Sequence, residues 1–356
     1  MEIKIQDLTL KNTNCKQITL INNNGMKVEF LSLGGIITKI LVPDYEGNLE
    51  NVVLAYKNLE DYLENPSYFG ALIGRTGGRI YKGQVTINDH LYQLNTTDNG
   101  HTLHGGIHGF NKKDWTIEPF KDLSHVGVHL HTISETGEEG YPGRLHLTVT
   151  YILHEDNTFE ISYYGICDED TLVNLTNHTY FNLSGFAKRK ITEEILFVNS
   201  QQVLALDEEN IPTGELLDVS TYTALDFNTP KMIGTSIHDD LFKPQRGYDY
   251  AWLLNDNTTT HASLHDPVSK RFLEISTTQP AIVIYTMNFA DGLLLENGHP
   301  STPHYSICFE TQTPPIGYNE CFKDLSLLRK DTPYQHTTKF KFSVRSWRRS
   351  YSHPDT

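Results

Sequence analysis

Alternation of apolar and polar residues, broken at short intervals by turn residues, most constrains how this chain can fold. Segments 126–134, 145–154 and 158–166 alternate with period two and are rich in Val, Thr, Tyr and Ile, which fit half-buried strands. The Asn24-Gly25 step between two further alternating segments favours a hairpin. Few windows have helical periodicity, and none exceeds a couple of turns. The pattern predicts an all-β protein, folded as a single large antiparallel β-sandwich.

The rest of the chain continues this pattern without an internal boundary. Further strands are predicted at 36–42, 52–55, 85–87, 91–94, 115–119, 194–197, 202–206, 250–254, 263–265, 271–277, 281–287, 305–312 and 338–344, with a helical turn at 59–63. Composition does not shift along the chain, and no linker, low-complexity tract or clear repeat divides it. We therefore expect residues 1–356 to form one domain, with a polar C-terminal tail at about 345–356.

The balance of charges limits the partners of the protein. The 356 residues include 44 acidic residues and 29 Lys or Arg residues, which give a formal net charge of −15. Nucleic acids and anionic membranes attract cationic surfaces, so we expect neither as a partner.

The N terminus and the cysteines bear on where the protein resides. The first residues alternate and are charged, without the apolar core of a signal peptide, and no apolar run is long enough to span a bilayer. Cys15, Cys167, Cys308 and Cys321 are scattered and form no CxxC pair. Four cysteines so placed are not a disulfide framework. We expect a cytoplasmic protein with reduced thiols.

Segment 174–183 (Asn-Leu-Thr-Asn-His-Thr-Tyr-Phe-Asn-Leu) carries the most informative polar pattern. In a strand, the even positions share one face, formed by Asn174, Thr176, His178, Tyr180 and Asn182. Each of these side chains donates or accepts hydrogen bonds, and none is charged like Lys or Glu. Such a face suits a concave surface that holds a polyhydroxylated ligand. An exposed strand face, or a core histidine with a satisfied hydrogen bond, would give the same pattern.

Segment 73–80 (Ile-Gly-Arg-Thr-Gly-Gly-Arg-Ile) combines glycines with two arginines. If the segment is extended, Arg75 and Arg79 lie on one face, and the glycines allow the backbone to approach a ligand closely. A surface turn with solvated arginines is the alternative. The segment lacks GxGxxG spacing and a following helix, so a dinucleotide site is a poor interpretation.

Segment 101–108 (His-Thr-Leu-His-Gly-Gly-Ile-His) brings three histidines within eight residues. Imidazole is the commonest protein ligand of metals, but the segment has no carboxylate or cysteine to complete a coordination shell. We therefore predict no metal site. Gly105 and Gly106, directly after His104, predict a tight turn that leaves that imidazole exposed at the lip of a pocket.

Two acidic residues stand among apolar or aromatic neighbours. Asp249 lies between Tyr248 and Tyr250, which suits a sugar site, where a carboxylate takes two hydroxyls and a ring covers the C–H face. A turn residue would look the same. In the predicted strand at 305–312, Ile307 and Phe309 form the core face, and the other face carries Ser306, Cys308, Glu310 and Gln312. We expect Glu310 to be partly buried unless that strand face is solvated. Burial raises the pKa of a carboxyl and makes it a better base near neutral pH.

Eight stretches along the chain occur in the order typical of one family. They are 34–37 (Gly-Gly-Ile-Ile), 42–44 (Val-Pro-Asp), 69–75 (Phe-Gly-Ala-Leu-Ile-Gly-Arg), 103–106 (Leu-His-Gly-Gly), 139–143 (Glu-Gly-Tyr-Pro-Gly), 174–183, 211–214 (Ile-Pro-Thr-Gly) and 309–312 (Phe-Glu-Thr-Gln). Through them the chain resembles the aldose 1-epimerase (galactose mutarotase) family from Thr19 to about Phe342. Each stretch alone is weak, whereas the ordered set is highly specific.

The resemblance implies a large β-sandwich with a free monosaccharide, galactose or glucose, in its concave face, and neither a metal nor an organic cofactor. It also implies roles for individual residues. Glu310 matches the general base at the anomeric hydroxyl, and His178 matches the general acid at the ring oxygen. The expected substrate-binding residues are Arg79, His104, Asp249 and Tyr285. We expect a monomer or a homodimer.

The implied chemistry agrees with the residue types. Interconversion of the α and β anomers opens the ring, rotates about the C1–C2 bond and closes onto the other face of the carbonyl. Opening needs a base at O1 and an acid at O5, and closing needs the reverse. A carboxylate and an imidazole on neighbouring strands do both without a covalent intermediate. The cation of Arg79 would stabilise charge that develops on the opened sugar.

Three departures from the family pattern concern the preferred substrate. Gly78 stands where many members have asparagine, Tyr-Ala-Trp at 250–252 replaces histidine, asparagine and an aromatic, and Val283 stands where some members have glutamine. An epimerase of the maltose type, acting on the reducing end of a disaccharide, is therefore an alternative. A non-catalytic carbohydrate-binding protein is another. A glycoside hydrolase would pair Asp249 with Glu310 across a glycosidic bond.

Overall fold

Strands make up most of the regular structure in residues 1–256 and 258–345, the residues that the computed structural model describes. In these ranges the α-helix Lys323–Ser326 has four residues, and 3₁₀ turns lie at Leu59–Leu63, Tyr81–Gly83, Phe110–Lys112, Glu138–Gly140, Ile191–Glu193, Thr223–Leu225, Ile233–Thr235, Asp240–Phe242 and Tyr318–Glu320. The predicted helical turn at 59–63 is confirmed. Of the predicted polar tail, only Arg345 falls within the described residues.

The largest sheet has nine strands and contains the three long strands predicted between residues 126 and 166. In spatial order the strands are Thr116–Lys121, His125–Ser134, Leu145–His154, Thr158–Cys167, Pro333–Val344, Arg271–Thr277, Ala262–His265, Ile195–Val198 and Lys231–Met232. Along Leu145–His154, buried residues alternate with more exposed ones. One face of this sheet therefore packs on the core, as the period of two requires.

A second sheet has six strands and carries both acidic residues that the sequence singles out. In spatial order the strands are Tyr180–Phe181, Ile307–Gln312, Ala281–Tyr285, Asp249–Leu253, Gln202–Leu206 and Pro212–Asp218. Asp249 is opposite Tyr285 in the ladder, and Val283 is opposite Glu310. The central strand Ala281–Tyr285 thus separates the two carboxylates.

The N-terminal strands form a third sheet in sequence order, Glu2–Leu10, Thr13–Ile21, Lys27–Leu31, Ile37–Pro43 and Leu49–Asn51. The predicted Asn-Gly hairpin joins the second and third of these strands, and Gly25 has the positive φ of +86° that such a turn needs. Four two-stranded pairings complete the ladders: Arg79–Ile80 with Thr102–Leu103, Leu72–Ile73 with Thr176–Asn177, Thr171–Leu172 with Leu327–Leu328, and Gln84–Ile87 with His90–Gln93.

The main hydrophobic core lies between the nine-stranded and six-stranded sheets. Phe181 of the smaller sheet packs on Phe340 and Phe342 of the larger one, with ring centres 5.3 and 6.5 Å apart. Ile18 of the third sheet belongs to the same core. Burial of each such side chain stabilises the fold by about 1.5–3 kcal/mol. All pairings between these strands are antiparallel, and the predicted all-β sandwich is confirmed.

The predicted strand at 52–55 is wrong. The N–H of Val52 donates to Ile40 of the third sheet, whereas that of Leu54 donates to Tyr180 of the six-stranded sheet. The segment therefore connects two sheets and makes one bridge, between Val53 and Phe181. Apolar composition alone does not show that the hydrogen bonds go to different sheets.

Several short strands and two longer ones have no counterpart in the prediction. The two longer strands, Glu2–Leu10 and Pro212–Asp218, lie at sheet edges, and most of their side chains are exposed or half-buried. Glu2–Leu10 alternates at its start but is not among the predicted strands, whereas Pro212–Asp218 lacks the alternation of apolar and polar residues on which the prediction depends.

Candidate active site

A cavity of about 380 Å³ lies on the face of the six-stranded sheet that points away from the main core. Side chains alternate along Ile307–Gln312: Ile307 and Phe309 belong to the main core, whereas Glu310 and Gln312 line the cavity. The predicted division of this strand into two faces is confirmed. Neighbouring strands contribute the cavity residues Leu204, Leu206, Asp249, Ala251, Val283 and Tyr285.

Glu310 and His178 meet at the bottom of this cavity. Oε1 of Glu310 lies 3.5 Å from Nε2 of His178, and the two side chains are only 4% and 6% exposed. The Sγ atom of Cys308 lies 3.6 Å from the other ring nitrogen, Nδ1 of His178. The sulfur thus occupies the Nδ1 side of the imidazole, and Nε2 is directed at the carboxylate.

Burial shifts both groups towards their neutral forms. Burial, and then the negative charge of Asp249, raises the pKa of Glu310 well above its usual range, while the cation of Arg79 opposes the shift. Burial lowers the pKa of His178 to about 4. Ionisation of either the carboxyl or the imidazole is therefore unfavourable at this buried position.

The segment that carries His178 is not the single strand that its sequence predicts. Thr176–Asn177 pairs with Leu72–Ile73, whereas Tyr180–Phe181 pairs with Ile307 and Cys308 of the six-stranded sheet. His178 lies between these pairings, and its N–H donates to the carbonyl of Ala71 over 2.9 Å. The change of partner strand places the imidazole over Glu310.

The predicted polar face of this segment is also only partly present. All its even positions are buried, and of them His178 and Tyr180 line the cavity. Asn174 binds the backbone of Thr313 through both its amide nitrogen and its amide oxygen, and Asn182 donates to the carbonyls of Arg189 and Tyr305. These asparagines hold loops together and do not contact the cavity.

His104 lies beside His178, with ring centres 5.2 Å apart and the planes at 90°. The predicted turn is present: a Cβ on Gly105, at φ +88°, would stand 1.9 Å from the carbonyl oxygen of Gly74. The imidazole itself is only 8% exposed, so the prediction that it is exposed at a pocket lip is wrong. Packing against Tyr68, at 4.8 Å between ring centres, covers it.

The backbone selects the tautomer of His104. The N–H of Gly78 donates to Nδ1 over 3.2 Å, so the neutral ring carries its proton on Nε2. Burial, and then the His178 and Arg79 charges, lowers the pKa of His104 well below its usual value, which keeps the ring neutral. His104 therefore presents an N–H donor.

Three groups in this cavity have the chemistry of metal ligands. His104, His178 and Glu310 each offer one atom, and these atoms lie within 4.8 Å of one another. A neutral imidazole binds a metal through a ring nitrogen that carries no proton. The hydrogen bond from Gly78 occupies that nitrogen of His104. The arrangement thus fits donation to an oxygen of a ligand better than metal binding. The other two histidines of segment 101–108 do not line the cavity.

The two arginines of segment 73–80 lie in different environments, so the expectation of a shared face is wrong. Arg75 is 2% exposed, and its guanidinium donates to the carbonyls of Pro142 and Gly143. Arg79 lines the cavity, and its Nε lies 2.7 Å from Oδ2 of Asp98. This ion pair fixes the cation beside the acidic groups of the cavity.

A chain of hydrogen bonds holds Asp249 on the cavity wall. Asn210 donates to Oδ2 of Asp249 over 3.4 Å, Gln245 donates to Asn210 over 2.9 Å, and the hydroxyl of Tyr250 donates to Gln245 over 3.3 Å. Burial raises the pKa of Asp249, and the positive charge of Arg79 opposes this effect. The structure thus brings together all six residues that the sequence assigns to the site: Arg79, His104, His178, Asp249, Tyr285 and Glu310.

Comparison with known proteins assigns the chain to a family. The family described as aldose 1-epimerase matches residues 16–341. The protein belongs to the aldose 1-epimerase family. Galactose mutarotase from Homo sapiens is 39% identical over 322 residues, which cover 90% of this chain and 92% of that protein. Aldose 1-epimerase from Haemophilus influenzae is 34% identical over 329 residues, covering 91% and 95%.

A solved structure shows the same architecture. Galactose 1-epimerase from Lactobacillus acidophilus superimposes with a TM-score of 0.87 at 29% sequence identity, over 97% of this chain and 99% of that one. The aldose 1-epimerases are isomerases, and the expected fold and enzyme class are confirmed. Among the described residues, no helix has the length and apolar character needed to cross a membrane.

All three departures from the aldose 1-epimerase pattern lie at the cavity, since Gly78, Ala251 and Val283 line it. Trp252 points the other way: it is 1% exposed, and its Nε1 donates to the carbonyl of Leu225. Tyr285, and not Trp252, therefore offers its ring to the cavity. The departures change the cavity wall but do not replace Glu310 or His178; Val283 is the cross-strand neighbour of Glu310.

Several cavity residues of this aldose 1-epimerase were not found from the sequence. They include Ser67, Tyr68, Asn210, Phe289 and Asp291. They come from separate loops and strands, and no local pattern distinguishes them from ordinary turn or strand residues. Asn210 had the best signal, because it adjoins a stretch that matches the family.

Proposed function

We propose that this protein interconverts the α and β anomers of free aldohexoses, galactose and glucose, with Glu310 and His178 as the acid–base pair. The observation that carries this proposal is the contact between Oε1 of Glu310 and Nε2 of His178 at the bottom of the cavity, 3.5 Å apart. A carboxylate and an imidazole at this separation reach two adjacent oxygens of one sugar, which anomeric interconversion requires.

Ring opening uses the pair in one direction. Glu310, as carboxylate, takes the proton of the O1 hydroxyl, and His178, as imidazolium, gives a proton to the ring oxygen O5. The C1–O5 bond breaks, and O1 becomes the carbonyl oxygen of the aldehyde. Rotation about C1–C2 presents the other carbonyl face. Closing returns both protons and restores the ionised pair, so protons and electrons balance over the cycle.

The environment of the pair favours the opened state. After opening, Glu310 is a neutral carboxyl and His178 a neutral imidazole, the forms that burial of both groups stabilises. In the closed state, sugar hydroxyls that donate to the carboxylate stabilise its charge instead. The two states are thus brought closer in free energy than solvent alone would allow.

The remaining polar groups bind the sugar and hold its anomeric carbon over the pair. The Nε2–H of His104 and the guanidinium of Arg79 are donors to sugar oxygens, and Arg79 also stabilises charge on the opened sugar. Asp249 accepts from sugar hydroxyls, and the ring of Tyr285 borders the same space. Two donors and an acceptor around one cavity suit a ligand rich in hydroxyl groups.

Two alternatives explain less of the geometry. A glycoside hydrolase would use Asp249 and Glu310 as its carboxyl pair, but the strand Ala281–Tyr285 lies between them, and the ionisable group in contact with Glu310 is His178. A non-catalytic sugar-binding protein does not require an acid and a base in contact. A disaccharide substrate would place its second sugar ring in the outer part of the same cavity.

Polarimetry tests the proposal directly. The optical rotation of freshly dissolved α-galactose and α-glucose should reach equilibrium faster with the protein than in buffer alone. A relaxation rate that equals the buffer rate for both sugars would reject the proposed reaction. Binding without acceleration, measured by calorimetry, would identify a sugar-binding protein.

Three further properties are proposed with the function. One domain over residues 1–356 is supported by the main core, which joins Ile18 near one end of the chain to Phe342 near the other. A monomer or homodimer, and a cytoplasmic location, stay predictions from the family resemblance, the N-terminal sequence and the scattered cysteines.

A further inference from the structure

His101, the first histidine of segment 101–108, does not line the cavity, yet it is only 3% exposed. It closes a short turn with Asp98. The N–H of His101 donates to the carbonyl of Asp98 over 2.7 Å, and the N–H of Asp98 donates back over 3.1 Å. Because the side chain of Asp98 holds Arg79, His101 is fixed to the residue that positions the cation of the cavity.

The imidazole of His101 is directed at a different loop. The N–H of Lys82 donates to Nδ1 over 3.0 Å, so Nε2 carries the ring proton. Nε2 lies 3.6 Å from Oε2 of Glu209. The positive end of this N–H bond thus faces a carboxylate of loop 207–211, across from the turn of Asp98.

The loop of Glu209 carries the residue that holds Asp249. Oδ1 of Asp207 accepts from the N–H groups of Glu209 and Ile211, each over 2.9 Å. These bonds close a turn in which Asn210 adopts the left-handed conformation, at φ +61°. Asn210 donates to Oδ2 of Asp249 over 3.4 Å. The support of Asp249 therefore depends on where this loop lies.

A row of three aromatic rings joins the loop to the turn. The hydroxyl of Tyr318 donates to Oδ2 of Asp207. The ring of Tyr318 packs on Tyr81, with centres 4.4 Å apart. Tyr81 in turn stacks on His101, with centres 5.5 Å apart and the planes at 30°. Aromatic pairs at such separations attract each other, so Asp207 is connected through the rings to the turn of Asp98.

The backbone beside Tyr318 makes the same connection. The N–H of Ile316 donates to the carbonyl of Arg79 over 3.2 Å. One residue later the chain packs against the other side, since a Cβ on Gly317 would stand 1.8 Å from the carbonyl oxygen of Pro212. Segment 316–318 therefore lies between the strand of Arg79 and the end of the loop that supports Asp249.

We propose that Tyr81, His101 and Tyr318 are positioning residues, a three-ring clamp that fixes the spacing between Arg79 and Asp249. The three rings do not line the cavity, and they act through Asp98 and the loop of Asn210. A sugar that bridges the guanidinium and the carboxylate needs this spacing to be set before it binds. The inference rests on the proposed function, which assigns Arg79 and Asp249 to sugar binding.

Hydrogen exchange measures the clamp itself. Tyr318→Phe keeps the ring on Tyr81 and removes the hydroxyl that binds Asp207. Amide exchange in residues 207–211 should become about 3–10-fold faster, because the loop opens more easily. Tyr164→Phe is the matched control and should leave this exchange unchanged, since Tyr164 is 47% exposed in the nine-stranded sheet, outside the cavity. Unchanged exchange in Tyr318→Phe would overturn the clamp.

Polarimetry with galactose measures the effect of the clamp on the reaction. Tyr318→Phe should raise KM by about 3–10-fold and change kcat by less than about twofold, because the acid–base pair stays in place. Partial misfolding would instead lower kcat and leave KM unchanged. Faster exchange with an unchanged KM would overturn the positioning role. A natural protein that accelerates no sugar would reject the proposed function, whereas the exchange result would still decide whether the clamp holds the loop.

A double variant tests whether the two charges are held together. Combined with Asp98→Asn, Tyr318→Phe should raise KM by less than the product of the two single effects, because both changes release the same turn and loop. Effects that multiply would show that Arg79 and Asp249 are held independently, which would overturn the proposed coupling.

Discussion

Nε2 of His178 lies 3.5 Å from Oε1 of Glu310, although the two residues are far apart in the chain. The contact forms because Tyr180–Phe181 pairs with the strand that carries Glu310, with Tyr180 opposite Cys308. Asp249 and Arg79 act on the charge of Glu310 from the surrounding cavity wall. Glu310 thus has His178 as its direct partner, and the charges of Asp249 and Arg79 shift its pKa in opposite directions.

Removal of either member of the pair should abolish most of the activity. Glu310→Gln and His178→Asn should each lower kcat for galactose by about 10²–10⁴-fold, the usual contribution of a positioned acid or base. Polarimetry measures the loss, and circular dichroism checks that the variants fold. Glu118→Gln is the control, because Glu118 also lies 3.5 Å from a histidine, His131, but is exposed on the nine-stranded sheet. Full activity in either cavity variant would contradict its assigned role.

The burial of Glu310 should appear in the pH dependence of stability. Its pKa is raised in the folded protein, so the stability associated with its protonated form is present below the ordinary carboxyl pKa and is lost as pH rises through the raised value. Glu310→Gln removes this loss. The free energy of unfolding of the variant, relative to that of the natural protein, should therefore be higher at about pH 9 than at about pH 5.

Denaturant unfolding at both pH values measures this gain. The m-value should stay constant, because the surface exposed on unfolding does not change. Glu118→Gln should show no comparable dependence on pH, since Glu118 is 72% exposed. A difference between Glu310→Gln and the natural protein that is the same at both pH values would show that the carboxyl has equal pKa values in its folded and unfolded states.

Metal removal should leave the rate unchanged. His104 presents an N–H donor to the cavity because the N–H of Gly78 binds its other nitrogen. We therefore expect the three groups within 4.8 Å of one another to act as donor, acid and base, not as metal ligands. Dialysis against EDTA, followed by polarimetry, makes the test. Inactivation that added Zn²⁺ reverses would assign ligand roles to His104, His178 and Glu310.

The ion pair between Arg79 and Asp98 should matter for substrate binding. Asp98→Asn removes the charge that fixes the guanidinium at 2.7 Å, and we expect KM to rise by about 3–10-fold with a smaller change in kcat, given the modest energy of partly exposed pairs. Glu135→Gln is matched to it, because Glu135 lies 3.0 Å from Nε of Arg144 outside the cavity. An unchanged KM in Asp98→Asn would show that Arg79 keeps its position without this partner.

The alternation of apolar and polar residues was sufficient to predict strands with one solvated face. Leu145–His154 and Arg271–Thr277 lie where the period of two predicts them, because alternate residues face the core. It was insufficient for segment 174–183, which is buried on every side. When both faces are buried, alternation no longer reports which side points to a ligand, and two of the five polar residues reached the cavity.

The sequence by itself determined the all-β class and the division of Ile307–Gln312 into a core face and a polar face, because both follow from the alternation of apolar and polar residues. Through the family resemblance it also predicted six site residues, which the structure brings to one cavity; their roles stay predictions. Tertiary structure alone decided that Arg75 and Arg79 separate, that Gly78 fixes the tautomer of His104, and that Phe289 lines the cavity. Such relationships depend on which distant segments pack together to bury apolar surface, and no local pattern encodes that choice.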